Sequence, residues 1–299
     1  MKASYAFLSI SIGVLPTFFP ELAAAAPPRL DGLQGGRLLA GHVPGDVQLQ
    51  TFEPALDGID LRLELLIPLA HQPGHGGVAG LPVSYIVQTL NDFKNDLRKP
   101  GDPRKVNVNQ MIAFAKNLTP EEMQTAAEYF ASTPWTQWVR VVETRMVPKT
   151  EAEGSIFFKV PGKLTEPIGM RIIETPEDDE QTEPLRNPRS GFVAYAPMGS
   201  LKKGEVLVTT GGNGKTVACI NCHGADLRGN GPVPGIAGRS PSYLARQMYD
   251  IQVGARHGEW AELMKPVVAK LTNEDFVAIA AYVSSRPMPP APGSKLQTN

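Results

Sequence analysis

Cysteine is scarce in this sequence, and its scarcity excludes several classes of protein. The 299 residues contain two cysteines, so neither a disulfide-stapled scaffold nor a four-cysteine zinc site can form. An excess of charge of one sign is also missing, because 29 lysines and arginines nearly balance 30 acidic residues. Nucleic-acid-binding proteins present a basic surface, so the composition argues against nucleic acid as a partner. Glycine and proline are abundant, with 29 and 28 residues, which favours many turns.

Long apolar runs are lacking except at the start of the chain. Lys2 precedes an almost wholly apolar stretch over residues 6–19, and four alanines follow at 23–26. This order is typical of a secretory signal peptide, and the run is shorter than the roughly 20 residues that span a bilayer. We therefore predict a signal peptide over residues 1–26 and export of the protein, to the periplasm if the source is bacterial. An uncleaved segment would instead anchor the chain in a membrane.

The two cysteines lie together in the motif Cys219-Ile220-Asn221-Cys222-His223. C-x-x-C-H is the attachment signature of c-type haem. Each thiol adds to one vinyl group of the porphyrin, and the adjacent histidine supplies the proximal nitrogen to the iron. A thioredoxin-like pair does not need the histidine, a zinc knuckle would need a ligand nearer than His257, and a disulfide across two residues would be strained. The motif therefore predicts one covalent haem c.

The residues around the motif predict a unit of three or four helices. Helical periodicity occurs over residues 199–210, 241–253 and 272–286. Thr272 and Asp275 have the spacing of a capping box at the start of the last segment, and prolines end it. The residues expected to pack are Gly204, Val206, Leu207, Tyr243, Leu244, Met248, Ile251, Phe276, Ile279, Ala280 and Val283. These helices are expected to surround the attachment site.

Residues 198–286 resemble a class I cytochrome c, close to the modules of exported bacterial cytochromes that carry two such domains. The resemblance implies a mainly α fold and a sixth iron ligand from a methionine in the loop before the last helix, where Met264 lies. It also implies that the Pro234 carbonyl accepts the proximal N–H. The cofactor-binding residues implied are Cys219, Cys222, His223, Met264, Pro234 and Tyr243, with His223 and Met264 as metal ligands. Alternatives for the sixth ligand are Met248, Met288 and His257.

The first half of the chain repeats the later part of this unit. Order, chemistry and spacing all recur, apart from a few extra residues near 99–104. The matched pairs are Gly77 with Gly235, Tyr85 with Tyr243, Leu90 with Met248, Asp92 with Asp250, Met111 with Met264, Thr119 with Thr272 and Tyr129 with Tyr282. We interpret residues 77–133, the degenerate half, as the remainder of a second cytochrome c-like domain.

The haem motif of the degenerate half is missing. The repeat predicts C-x-x-C-H near residues 60–70, where the chain has no cysteine. Residues 27–76 are therefore unassigned, and either they have diverged or they are an out-of-frame translation of a two-haem gene. A non-covalent haem held by His71 or His75 with Met111 is the alternative to ordinary solvated histidines. Without a thiol no covalent haem forms in this half.

A connector over residues 134–197 separates the degenerate half from the haem unit. The haem unit comprises residues 198–290, and a tail over residues 291–299 follows it. Strands are predicted within 139–147, 155–160 and 170–173. The acidic run 174–183 is expected to be a solvated loop, with a docking patch for a basic redox partner as the alternative. The whole chain is expected to be mainly α with a short β-containing connector.

These features predict an electron carrier rather than an enzyme. Two protein ligands on the iron leave no open position for a substrate, so the partners would be an electron donor and an electron acceptor. One alternative is a cytochrome subunit of a periplasmic dehydrogenase or oxidase complex. Another is a haem enzyme or sensor in which Met264 is labile.

Overall fold

The computed structural model describes residues 77–102, 106–153, 156–185, 187 and 190–287. The predicted signal peptide, the unassigned segment and the tail lie outside the described residues. The same holds for three candidate haem ligands, which are His71, His75 and Met288.

The degenerate half contributes three helices. They are α1 (Val83–Lys94), α2 (Val106–Lys116) and α3 (Pro120–Ser132). α3 begins at a capping box, because Thr119 Oγ1 accepts the Glu122 N–H while the Glu122 carboxylate accepts the Thr119 N–H. This arrangement satisfies two backbone donors that would otherwise lack partners at the helix start. α1 packs on both other helices, and Ile86, Ala127 and Phe130 form part of their core.

The connector is richer in strands than predicted. It forms β1 (Val139–Thr144), β2 (Met146–Pro148), β3 (Thr150–Glu153), β4 (Ile156–Lys159), β5 (Thr165–Pro167), β6 (Ile173–Pro176), one helical turn α4 (Asp179–Thr182) and β7 (Phe192–Pro197). β7 is the middle strand of a three-stranded sheet, parallel to β1 and antiparallel to β6. β2 pairs with β5 and β3 with β4, both antiparallel.

Two predictions for the connector are wrong in detail. The strand predicted over 170–173 begins only at Ile173, because Gly169 and Met170 form a turn, with Gly169 at a φ of 57°. The acidic run 174–183 does not begin as a solvated loop, since Glu174 lies in β6 and is 1% exposed. Every residue of β6 is buried, so this strand lacks the alternation of polar and apolar residues by which a half-exposed strand is recognised.

The haem unit contains α5 (Ser200–Thr210), α6 (Ile220–His223), α7 (Pro241–Gln252), α8 (Glu259–Val268) and α9 (Asn273–Ser284). The described residues of this unit thus form five helices rather than the three or four predicted, because the motif itself and the segment around Met264 are both helical. Gly258 precedes α8, and acidic residues lie in the first turn of this helix. Their negative charges interact favourably with the positive end of the helix dipole and so stabilise the helix. None of the helices in the described ranges is long and apolar enough to cross a bilayer.

The first and last helices of the haem unit cross closely. Gly204 on α5 has no room for a side chain, because an added Cβ would collide with the Ala278 carbonyl of α9. α9 begins at the predicted capping box between Thr272 and Asp275 and is buried from Asp275 to its end at Ser284. Val206, which was expected to pack, is 39% exposed. Val208 lies in the core in its place, while Leu207, Phe276, Ile279 and Val283 lie in that core as predicted.

Candidate haem site

The three residues of the C-x-x-C-H motif lie on one helical turn. Cys219 immediately precedes α6 and His223 ends it, and the His223 N–H donates to the Cys219 carbonyl at 2.9 Å. Both cysteines are free thiols, Cys219 half-buried and Cys222 exposed. Burial raises the pKa of the Cys219 thiol to about 11, so this thiol is protonated at neutral pH. The local backbone thus presents two thiols and an imidazole from the same short segment.

The imidazole of His223 is buried and held in one orientation. Its Nδ1 lies 2.8 Å from the carbonyl oxygen of Pro234. A carbonyl oxygen only accepts, so Nδ1 carries the proton and Nε2 is the lone-pair nitrogen. Burial lowers the pKa of His223, although the bond to Pro234 opposes this effect. The ring is therefore neutral at pH 7, which is the state that a metal ligand requires.

The loop that carries Pro234 is tied back to the motif by backbone hydrogen bonds. The Gly229 N–H donates to the His223 carbonyl at 2.8 Å. The Leu227 carbonyl accepts two further N–H groups from the residues that follow Gly235, at 2.8 and 3.0 Å. Gly235 itself packs so closely that an added Cβ would lie 2.6 Å from the Arg228 carbonyl. The position of the Pro234 carbonyl is thus fixed by the backbone on both sides.

Apolar side chains surround the motif. The buried core of the haem unit includes Leu207, Leu227, Ile251, Val268, Leu271 and Phe276, and several half-buried residues pack against it. Among these are Cys219, Met248 and Met264. Met264 on α8 and Met248 on α7 therefore adjoin the same cluster as the attachment cysteine. An apolar cluster with a thioether is the environment in which a haem with sulfur ligation is stable.

His257, the histidine alternative for the sixth ligand, has other contacts. Its backbone N–H donates to the Leu97 carbonyl at 3.0 Å, and its Nδ1 lies 3.1 Å from the Gly254 carbonyl. Both contacts hold it in the segment that joins the haem unit to the degenerate half. Two free thiols, a neutral imidazole of fixed tautomer and a thioether on one apolar cluster fit a covalently attached haem.

Tyr243 lies where the degenerate half meets the haem unit. At this junction, formed by residues 97–99 and 255–257, an antiparallel bridge pairs Arg98 with Arg256. Arg98 donates to the Tyr243 phenol at 3.0 Å, and Arg256 donates to the Tyr85 phenol at 3.2 Å. The two contacts are equivalent, because Tyr85 and Tyr243 have the same separation along the chain as Arg98 and Arg256.

Sequence reasoning missed these two arginines. The matched residues that precede the extra stretch of the first copy end at Asp92 and Asp250, and the arginine pair lies a few residues beyond them. Arg98 and Arg256 also share Gln247 Oε1 as an acceptor, at 2.5 and 3.0 Å. Extending the repeat at constant spacing would have matched the arginines, but nothing in the sequence shows that each reaches the other half.

Comparison with known proteins identifies the family. Residues 202–287 match the profile of the family described as Cytochrome c. Cytochrome c-554(548) of Halomonas halodenitrificans is 40% identical over 76 residues, which cover 25% of this chain and 92% of that protein. The chain belongs to the cytochrome c family. This membership confirms the predicted cytochrome c-like unit, and it implies a covalently bound haem c.

Two longer relatives match a smaller share of their own length. Cytochrome c4 of Stutzerimonas stutzeri is 31% identical over 128 residues, 40% of this chain and 60% of that protein. The thiosulfate dehydrogenase electron acceptor of Stutzerimonas stutzeri (strain A1501) is 36% identical over 89 residues, 29% of this chain and 40% of that protein. The chain thus spans less than two thirds of the length of either protein. The cytochrome c4 match confirms the predicted resemblance to two-domain cytochromes.

Solved structures show weaker overall similarity. Reduced cytochrome c4 from Pseudomonas stutzeri has a TM-score of 0.46 at 21% identity, over 75% of this chain and 96% of that one. Thiosulfate dehydrogenase from Marichromatium purpuratum has a TM-score of 0.43 at 23% identity, over 72% of this chain and 33% of that one.

Proposed function

We propose that this cytochrome is an exported electron carrier of the periplasm that holds one covalent haem c. The bond from His223 Nδ1 to the Pro234 carbonyl supports this most directly, because it keeps a neutral imidazole on the turn that carries both thiols. Cys219 and Cys222 would form the two thioethers, and His223 would be the proximal ligand. The haem would supply a one-electron ferric–ferrous couple.

Met264 is the sixth ligand in this proposal. It belongs to the apolar cluster that also includes Cys219, so its thioether lies within the environment that the haem would enter. Tyr243 would border the haem from the junction, where Arg98 holds its phenol. If His223 and Met264 both held the iron, no ligand position would remain for a substrate, and the protein would transfer electrons without catalysing a reaction at the metal.

One haem per chain follows from the cysteine count. Both cysteines of the sequence are used by the motif at 219–222, so the degenerate half has no thiol for a second attachment. Relatives of the cytochrome c4 type have two such domains. The degenerate half would here serve the junction with the haem unit rather than carry an electron.

The donor in this proposal is a dehydrogenase or a similar oxidoreductase. One relative is named as the electron acceptor of a thiosulfate dehydrogenase, and a second protein of that name, from Thiomonas intermedia, is 33% identical over 104 residues. These names favour a role as the electron-accepting partner of an enzyme over a role as an enzyme or sensor.

The test is the haem content and spectrum of the mature protein, produced in a host that attaches haem c. We expect a mass increase of one haem per chain and a low-spin ferric spectrum that includes the methionine-sulfur band. Cys222→Ser is the matched variant, and it should weaken or abolish covalent attachment. A colourless wild type at the apo mass would refute the proposal. A mass increase of two haems would refute the account of the degenerate half. A high-spin ferric spectrum of the wild type would favour an open site on the iron.

A further inference from the structure

Arg239 is a buried cation held by backbone carbonyls. Its side chain is almost inaccessible, with 4% of the residue exposed. Nε donates to the Gly235 carbonyl at 2.7 Å, Nη1 to the Gly77 carbonyl at 2.6 Å and Nη2 to the Ala79 carbonyl at 3.1 Å. Burial lowers the pKa of Arg239 to about 10, so the group remains charged at neutral pH. One guanidinium thus joins the haem unit to the first residues of the degenerate half.

The connector also contacts this guanidinium. The Arg239 Cζ lies 4.1 Å from the ring centroid of Trp135, which places the cation over the aromatic face. Trp135 is itself buried, and it packs so near the degenerate half that an added Cβ on Gly80 would lie 3.3 Å from the Trp135 Cβ. Three parts of the chain therefore meet at Arg239.

The contact with Gly235 brings Arg239 to the proximal side of the haem site. Gly235 directly follows Pro234, whose carbonyl faces Nδ1 of His223. By fixing the Gly235 peptide, Arg239 restrains the adjacent Pro234 carbonyl, which accepts the hydrogen bond from the imidazole N–H. A hydrogen bond to the outer nitrogen of a ligating histidine fixes its orientation and raises its basicity. Restraint on that acceptor would therefore act on a bound haem iron through His223.

The arginine is not needed for the turn in which it lies. Leu81 has the equivalent position in the degenerate half, at the same separation as Tyr85 from Tyr243. The preceding glycines have the same backbone conformation, with Gly80 and Gly238 both at a φ of 66°. Each glycine N–H also donates to the last helix of its own half, from Gly80 at 2.9 Å and from Gly238 at 3.1 Å. An apolar residue therefore suffices to form this turn.

We propose that Arg239 is a positioning residue for the proximal histidine. It links Trp135 and the Gly77 and Ala79 carbonyls to the loop that holds His223, and so sets how strongly that ring donates to the iron. The inference rests on the proposed function, since it concerns the electron affinity of the bound haem.

Arg239→Lys in the haem-loaded full chain tests the proposal, because lysine keeps the charge but loses the planar arrangement of donors that reaches three carbonyls. Two quantities are measured, the solvent exchange rate of the His223 ring N–H in the ferrous protein by NMR, and the midpoint potential. We expect exchange to be about tenfold faster or more. The equilibrium constant for reduction should rise about three- to tenfold, the latter being 59 mV for a one-electron couple, because a less basic imidazole stabilises the ferric state less.

Arg228→Gln is the matched control. Arg228 lies on the same loop, but its side chain is exposed and forms an ion pair with Asp226 rather than with a carbonyl of the loop, so both quantities should keep their wild-type values. Trp135→Phe should shift both in the same direction as Arg239→Lys, by less. If Arg239→Lys only lowers the melting temperature, with wild-type exchange and potential, Arg239 is structural and the inference is wrong. A wild type without low-spin haem would refute the proposed function as well.

Discussion

Arg98 and Arg256 face each other in an antiparallel bridge at the junction, and each extends its guanidinium into the opposite half. The backbone bonds around them are equivalent, with Lys99 N–H donating to Ala255 at 2.7 Å and His257 N–H donating to Leu97 at 3.0 Å. Like charges this close repel each other, and buried N–H donors without acceptors would add a further cost. The tyrosine oxygens and Gln247 provide acceptors, so the junction is a network of polar contacts rather than an apolar interface.

The contact between Arg256 and Tyr85 should stabilise the chain measurably. We expect Arg256→Gln to lower the free energy of unfolding by about 1–3 kcal/mol, because a buried charged hydrogen bond is lost. A double-mutant cycle with Tyr85→Phe, followed by denaturant unfolding, should give a coupling energy of about 0.5–3 kcal/mol. Arg228→Gln should change stability by less than about 0.5 kcal/mol. Additive effects of the two substitutions would show that the contact contributes nothing.

The same substitution should change the ionisation of Tyr85. Burial alone would raise the pKa of this phenol, but the charges of Arg256 and Arg98 outweigh it and bring the pKa to about 8. Removing the Arg256 charge should therefore raise the pKa of Tyr85. An ultraviolet titration of wild type and Arg256→Gln, with Tyr85→Phe to identify the signal, measures the shift. Identical titrations of the wild type and the variant would contradict the contact.

Replacing Met264 should open the iron without releasing the haem. Met264→Ala removes the proposed sixth ligand but leaves both thioethers, so the mass should still include one haem. We expect a high-spin ferric spectrum, and external imidazole should bind at least about tenfold more tightly, or 1.4 kcal/mol. Met248→Ala is the control, since Met248 packs on the same cluster and should leave the spectrum unchanged. The opposite pattern would assign the ligand to Met248.

The two cysteines should differ in reactivity when no haem is attached. Cys222 is exposed, whereas burial raises the pKa of Cys219 to about 11. The thiolate is the reactive form, so alkylation at pH 8 should modify Cys222 at least about tenfold faster than Cys219. Peptide mass spectrometry of samples taken at successive times measures both alkylation rates. In denaturant the two rates should become similar. Equal rates in native buffer would place Cys219 in an open environment.

Glu174 should make stability depend on pH. Burial raises the pKa of Glu174 from 4.5 to about 7, despite hydrogen bonds from Ser240 and Ser242. The folded chain then keeps this proton to higher pH than the unfolded chain, so stability is greatest below about pH 4.5 and falls as pH rises to about 7. The loss is on the order of 3 kcal/mol. Glu174→Gln should remove this slope in denaturant unfolding at pH 5 and pH 7.5.

The control for Glu174 is Glu180→Gln, because Glu180 lies in the same acidic run but is exposed. The free energy of unfolding of Glu180→Gln should depend on pH as that of the wild type does. If the free energy of unfolding of the wild type and of Glu174→Gln varied with pH in the same way, the Glu174 carboxylate would be solvated, as the sequence predicts for the whole acidic run.

Local features of the fold were predictable from the sequence. The spacing of Thr272 and Asp275 predicted a capping box, and the structure forms it, since every atom involved lies within one helical turn. Helical periodicity likewise located α5 and α7. The prediction that Met264 lies in a loop was wrong, because residues 259–268 form a helix. That prediction came from the resemblance to class I cytochromes c, which does not reflect the helix propensity of this particular segment.

The sequence by itself determined the chemistry, because haem attachment needs two thiols and a histidine at fixed spacing, and covalent spacing is a property of the chain. Tertiary structure decided which groups surround that chemistry. The burial of Glu174 and the carbonyls of Gly77 and Ala79 around Arg239 depend on residues far apart in sequence. Desolvation and hydrogen-bond geometry arise only when these segments pack together, so no local pattern reports them.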